Sequence, residues 1–175
     1  MRKEGRFSKT ITLFFFIFFF IWIIIQFIFP IILPSGSIDD LSGLTGVYDN
    51  KEIVKKIPFP LNTVYSIGDI CCHQRSDRTL YFNENQMPFC ARCTSIWLGI
   101  AIGLGFMVFF TLTLNNKFLF VIILGILPLG IDGFGQLLGF WESTNLIRII
   151  TGLTTGIVCG LAIGVIIDEI IHFKK

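Results

Sequence analysis

Four apolar runs decide what this chain can fold into. The first, Ile11 to Leu33, is broken only by Thr12, Gln26 and Pro30. Three more run from about Thr94 to Leu114, Phe118 to Leu138 and Asn145 to Ile167. Crossing a bilayer takes roughly 20 predominantly apolar residues, and each run is that long. Composition agrees: only 15% of the 175 residues are charged and 20 are Phe, with mean hydropathy +0.76. A soluble domain carries about a quarter charged residues. The chain is therefore expected to be an all-α membrane protein. It has about four transmembrane helices and a Cys/His-containing polar segment at one membrane face.

A signal peptide would have an apolar region of about 7–15 residues and a small-residue cleavage site. The first run is longer and ends in Phe-Pro-Ile-Ile-Leu-Pro, so it reads as an uncleaved anchor. Three regions follow: a tail and first helix at 1–33, an extramembrane segment at 34–93, and a three-helix membrane bundle with a charged end at 94–175. In the middle region, PSGSIDDLSGLTGVYDN reads as irregular, and 51–57 as a short turn of helix ended by Pro58 and Pro60. Leu61, Val64 and Tyr65 recur at helical spacing before Cys71. The net charge of +2 and the lack of a basic run argue against nucleic acid as a partner. The bilayer is the expected partner.

Gly152, Gly156, Gly160 and Gly164 stand four apart in the last run, with a shorter series at Ser95, Gly99 and Gly103. Such ladders let helices approach closely, within one chain or in a homo-oligomer. Cys159 lies beside the ladder and reads as a packing residue. Arg2, Lys3, Arg6 and Lys9 precede the first helix, which puts both termini on the cytoplasmic side and 34–93 outside. Asp168, Glu169 and His172 read as interface anchoring.

Chemistry concentrates in two places. The first is Cys71-Cys72-His73 with Cys90-Ala91-Arg92-Cys93. A CxxC turn puts two sulfurs on one side, and zinc sites of the Cys₃His kind combine such a pair with a second pair. Cys72, His73, Cys90 and Cys93 are the expected zinc ligands, and Cys71 with His73 gives an alternative geometry. Disulfides, a redox-active CxxC pair and plain structural thiols are the competing readings. The second place lies within apolar runs: Asp132 and Gln136 share a helix face, and Asn145 and Arg148 begin the next helix. Ionised groups in hydrocarbon face a bundle interior and pair. These four are expected to form either a polar pocket or a hairpin-fixing salt bridge. Arg75 and Arg78 can hold an anion or pair with Asp69 and Asp77.

The runs Asp69-Ile70-Cys71-Cys72-His73-Gln74-Arg75 and Asn85-Gln86-Met87-Pro88-Phe89-Cys90-Ala91-Arg92-Cys93-Thr94 resemble the signature of an uncharacterised prokaryotic membrane family, domain of unknown function 2085. Asp132-Gly133, Gln136, Gly139, Ser143-Thr144-Asn145, Arg148 and Thr151-Gly152 also resemble that family's pattern. The resemblance covers about residues 60–165. The family's Thr-Gly after the CxxC is Thr94-Ser95 here, which loosens the implied close helix approach at that point. The hairpin is also similar to VanZ-like membrane proteins, which place Asp, Gln, Arg and Asn around two helices. The resemblance implies fold and residue choice, not a reaction. Three function classes compete: a zinc centre over a polar intramembrane pocket, a membrane thiol–disulfide protein using Cys90 and Cys93, and a non-enzymatic binding or small transport protein.

Overall fold

The computed structural model describes residues 2–173, with side chains over 7–171. Four of its helices are long and apolar enough to cross a membrane. They are α1 (Arg2–Ile32), α4 (Ala91–Phe109), α5 (Asn116–Leu137) and α6 (Asn145–Phe173). Between α1 and α4 come α2 (Lys51–Val54), α3 (Leu61–Cys71), a 3₁₀ turn at Ser76–Arg78 and two strands, β1 (Thr79–Phe82) and β2 (Asn85–Cys90). The chain divides into two compact units, residues 23–94 and a second made of 1–22 with 95–175. The first unit takes in the end of α1 and the first turn of α4, beyond the 34–93 bounds expected from polarity alone.

Unit 23–94 is built on α3 and the hairpin. Leu61, Val64, Tyr65 and Gly68 fall at one-face helical spacing and are the buried side of α3. With Leu33, Ile38, Leu41, Val54 and Ile57, Leu61 and Tyr65 form a closed apolar cluster. β1 and β2 are antiparallel, with Thr79 opposite Cys90 and Phe82 opposite Asn85. Asn83 and Glu84 both take positive φ, 52° and 59°, as a two-residue hairpin turn matching strand twist requires. The strand pair was not expected from the sequence.

Two asparagines of this hairpin serve the end of α1. The last carbonyls of a helix lack intrahelical donors. Asn83 Nδ2 donates to Leu33 O at 2.8 Å, and Asn85 Nδ2 donates to Pro30 O at 3.0 Å. The stretch expected to be irregular lacks helix and strand over 34–50, yet it is fastened. Leu41 N donates to Gln86 Oε1, Gly46 N to Ile70 O, and Asn50 N and Nδ2 to the Asp69 carboxylate. Asp69 therefore answers Asn50.

In the other unit α4 and α6 pack backbone to backbone. A Cβ on Gly99 would meet Leu153 O, one on Gly156 would meet Ile96 O, and one on Gly160 would meet Ile100 O. The glycine ladder is thus used within the chain. Inserting side-chain carbon at such contacts typically costs about 1–3 kcal/mol. Ser95 is buried and donates from Oγ to Arg148 O at 3.4 Å. Gly125 of α5 faces Val158, and Thr155 Oγ1 donates to Gly125 O at 3.2 Å. Asp168 accepts from the buried Ser8 hydroxyl of α1, so it is more than an anchor at the helix end. The side chain of His172 lies outside the described residues.

Candidate metal centre

Three segments deliver three sulfurs. Cys72 caps the C-terminal end of α3, its N–H bonded to Gly68 O at 2.8 Å. Cys90 ends β2 and immediately precedes α4, and Cys93 lies in the first turn of that helix. Close approach of α3 to β2 depends on Gly68, where a Cβ would collide with Pro88 O. Gln74 braces the same junction: it is fully buried and donates from Nε2 to Pro88 O at 2.7 Å. Its backbone is left-handed, with φ 41°, and its carbonyl accepts from Gln86 Nε2. These contacts join the chain two residues after Cys72 to the chain two residues before Cys90.

The result is a group in which the sulfurs of Cys72, Cys90 and Cys93 all lie within 4.8 Å of one another. Cys72 is buried, and Cys90 and Cys93 are half-buried. Cys90 N–H donates to Cys72 Sγ at 3.4 Å. The Cys90 sulfur is held well below the ordinary thiol range. Hydrogen bonds from the Cys72 and Cys93 thiols are the main cause, and the backbone N–H groups of Cys93 and Arg92 at the start of α4 add to it. The same hydrogen bond to Cys90, with burial, pushes the Cys72 thiol up. One sulfur thus carries anionic character that the other two thiols stabilise as hydrogen-bond donors, and thiolate is the donor a soft metal ion needs.

Two expected ligands stand apart. His73 is exposed, and its Nδ1 is 2.7 Å from Thr45 Oγ1. Cys72 is extended, at φ −140° and ψ 147°, and extended backbone sends successive side chains to opposite sides. Adjacent Cys72 and His73 therefore diverge. Cys71 is exposed on the last turn of α3 and lies outside the group. Arg75 and Arg78 both turn to Asp77, at 3.0 and 3.5 Å. Those guanidinium groups, Arg75 foremost, hold the Asp77 carboxyl below its usual range.

The second expected site belongs to the α5–α6 hairpin. Asp132 and Arg148 are both buried. Asp132 accepts from Ser143 Oγ at 3.0 Å and Trp141 Nε1 at 3.4 Å, and Arg148 donates to Asn145 Oδ1 at 3.1 Å. Gln136, one turn after Asp132, has a buried Nε2 with no partner. A pocket of about 380 Å³ opens beside Asp132, walled mainly by Leu127, Pro128, Ile131 and Ile147. Ser143 and Trp141 were not among the expected residues. Nothing in the local sequence marks their fold back onto Asp132.

The family described as "Predicted membrane protein (DUF2085)" matches residues 72–165, more than half of the chain. The chain belongs to this family. With four apolar helices, it is a multi-pass membrane protein. The DUF2085 match begins at Cys72 and includes Cys90, Cys93, Asp132, Gln136, Asn145 and Arg148. An uncharacterised protein of Methanothermobacter thermautotrophicus is 36% identical over 86 residues, 49% of this chain and 78% of the relative. Another, of Methanocaldococcus jannaschii, is 32% identical over 115 residues, 63% of this chain and 72% of the relative. No solved structure matches the chain.

Proposed function

We propose that this DUF2085 chain is a membrane metalloprotein. Its centre is a soft-preferring divalent ion, zinc first, held by Cys72, Cys90 and Cys93. The observation that carries the reading is the gathering of three sulfurs within 4.8 Å from parts of the chain 18 residues apart. Backbone N–H groups aimed at two of these sulfurs support it, because such donors stabilise thiolate and thiolate is the metal ligand. The ion would tie the end of α3 to the first turn of α4. The Asp132, Gln136, Asn145 and Arg148 group is read as the polar clasp of the α5–α6 hairpin.

The test is elemental analysis of full-length protein purified in detergent without chelator. About one zinc per chain is expected. It should disappear in Cys72→Ser, Cys90→Ser and Cys93→Ser and persist in Cys71→Ser and His73→Ala. Metal-free wild type with thiols missing in pairs would overturn the reading.

A second reading has its own observation. Cys90 directly precedes a helix and has a depressed thiol, the arrangement that activates the first cysteine of redox CxxC pairs. On that reading Cys90 and Cys93 exchange with a partner protein's disulfide, becoming a disulfide as the partner is reduced to its dithiol, and the metal-free preparation just described would be its signature.

A further inference from the structure

We infer that the metal at Cys72, Cys90 and Cys93 keeps its fourth coordination position for an exchangeable small donor from outside the chain: water at rest, and a soft anion such as a thiolate on binding. The inference rests on the metal reading above and adds what completes the centre.

A tetrahedral ion with metal–sulfur bonds of about 2.3 Å needs its sulfurs about 3.8 Å apart, so three sulfurs within 4.8 Å need only a small inward adjustment. A closed structural site needs a fourth protein ligand, whereas an open site holds three and leaves the last position to water or substrate. Among the described residues no fourth His, Cys, Asp or Glu joins the group. The two nearest in sequence are placed elsewhere. His73 is committed to Thr45, on the far side of an extended residue. Cys71 points outward from the last turn of α3. Cys90 and Cys93 are half-buried rather than sealed, so a small donor has access.

A buried amide adds an independent pointer. Gln26 of α1 is fully buried, and its Oε1 accepts from Thr94 Oγ1 at 3.2 Å. Thr94 follows Cys93 directly, and its hydroxyl also reaches Phe89 O, just before Cys90, at 3.5 Å. The Gln26 Nε2 has no acceptor, which is costly for a buried donor. That N–H pair belongs to the amide whose oxygen is bonded to Thr94, the residue after the CxxC turn. A water or anion on the metal would give it an acceptor, and the amide would in turn hold that ligand.

The test uses full-length protein loaded with cobalt(II), whose visible bands report tetrahedral geometry and whose sulfur-to-metal charge transfer reports thiolate ligation. Azide and β-mercaptoethanol are the probes. Saturable band shifts are expected with both in wild type, Cys71→Ser and His73→Ala. Gln26→Leu should bind cobalt like wild type but azide roughly tenfold more weakly. Wild-type bands that ignore both probes, or that respond only after Cys71→Ser or His73→Ala, would show a site closed by the chain and overturn the inference. Equal azide affinity in Gln26→Leu would overturn the part given to that amide. Failure to bind cobalt at all would instead sink the metal reading on which this rests.

Discussion

At Cys90 the chain changes from strand to helix, and the change itself makes the chemistry. The first N–H groups of a helix have no partner inside it, and here two of them are turned to a sulfur. With the Cys72 and Cys93 thiols donating to it as the larger cause and these N–H groups adding to it, Cys90 should remain a thiolate when ordinary cysteines have protonated. In metal-stripped protein, the iodoacetamide alkylation rate of Cys90, followed by mass spectrometry, should stay nearly flat between about pH 8 and pH 6. An unperturbed thiol would slow by roughly two orders of magnitude over that range. A Cys90 rate that falls as an unperturbed thiol's does would remove the thiolate from the account. The CxxC pair was legible because three-residue spacing fixes its geometry locally. His73 was not legible as a bystander. Its direction follows from one extended residue at Cys72 and from Thr45, 28 positions upstream.

The helices were the easiest elements to read, because hydropathy and length together leave few alternatives. The β hairpin was hidden for two reasons. Its turn is Asn83-Glu84, without the glycine that usually signals a two-residue turn. Its second strand contains Pro88, which normally argues against a strand. Polarity gives no sign that Asn85 and Gln86 are interior, whereas both are fully buried and bonded. The hairpin matters to the site because β2 carries Cys90 toward Cys72 only where Gly68 lets α3 come close. Gly68→Ala puts a methyl group into Pro88 O. This overpacking should cost about 1–3 kcal/mol. It should weaken zinc affinity roughly tenfold in chelator competition, since it moves the ligands. Gly130→Ala, where a Cβ meets nothing, is the matched control and should change neither. Equal affinity in Gly68→Ala and wild type would detach the α3–β2 junction from the centre.

For the molecule as a whole, the four-span architecture and the DUF2085 family were both readable from sequence. The compact units divide the chain on a different basis from its polarity. A polarity scan breaks the chain where it leaves the apolar runs, at 34 and 93. The compact unit runs over 23–94, because Asn83 and Asn85 bond the end of α1 and Thr94 bonds Gln26. The cysteine centre is thus built onto helix ends rather than into a free loop, which gives three sulfurs fixed directions without a disulfide. The claim that these sulfurs hold a metal is tested most directly by X-ray absorption at the zinc edge on full-length protein purified without chelator. The account predicts three sulfur scatterers at about 2.3 Å and one lighter oxygen or nitrogen near 2.0–2.1 Å. A shell of nitrogen and oxygen alone, or no zinc edge, would contradict it.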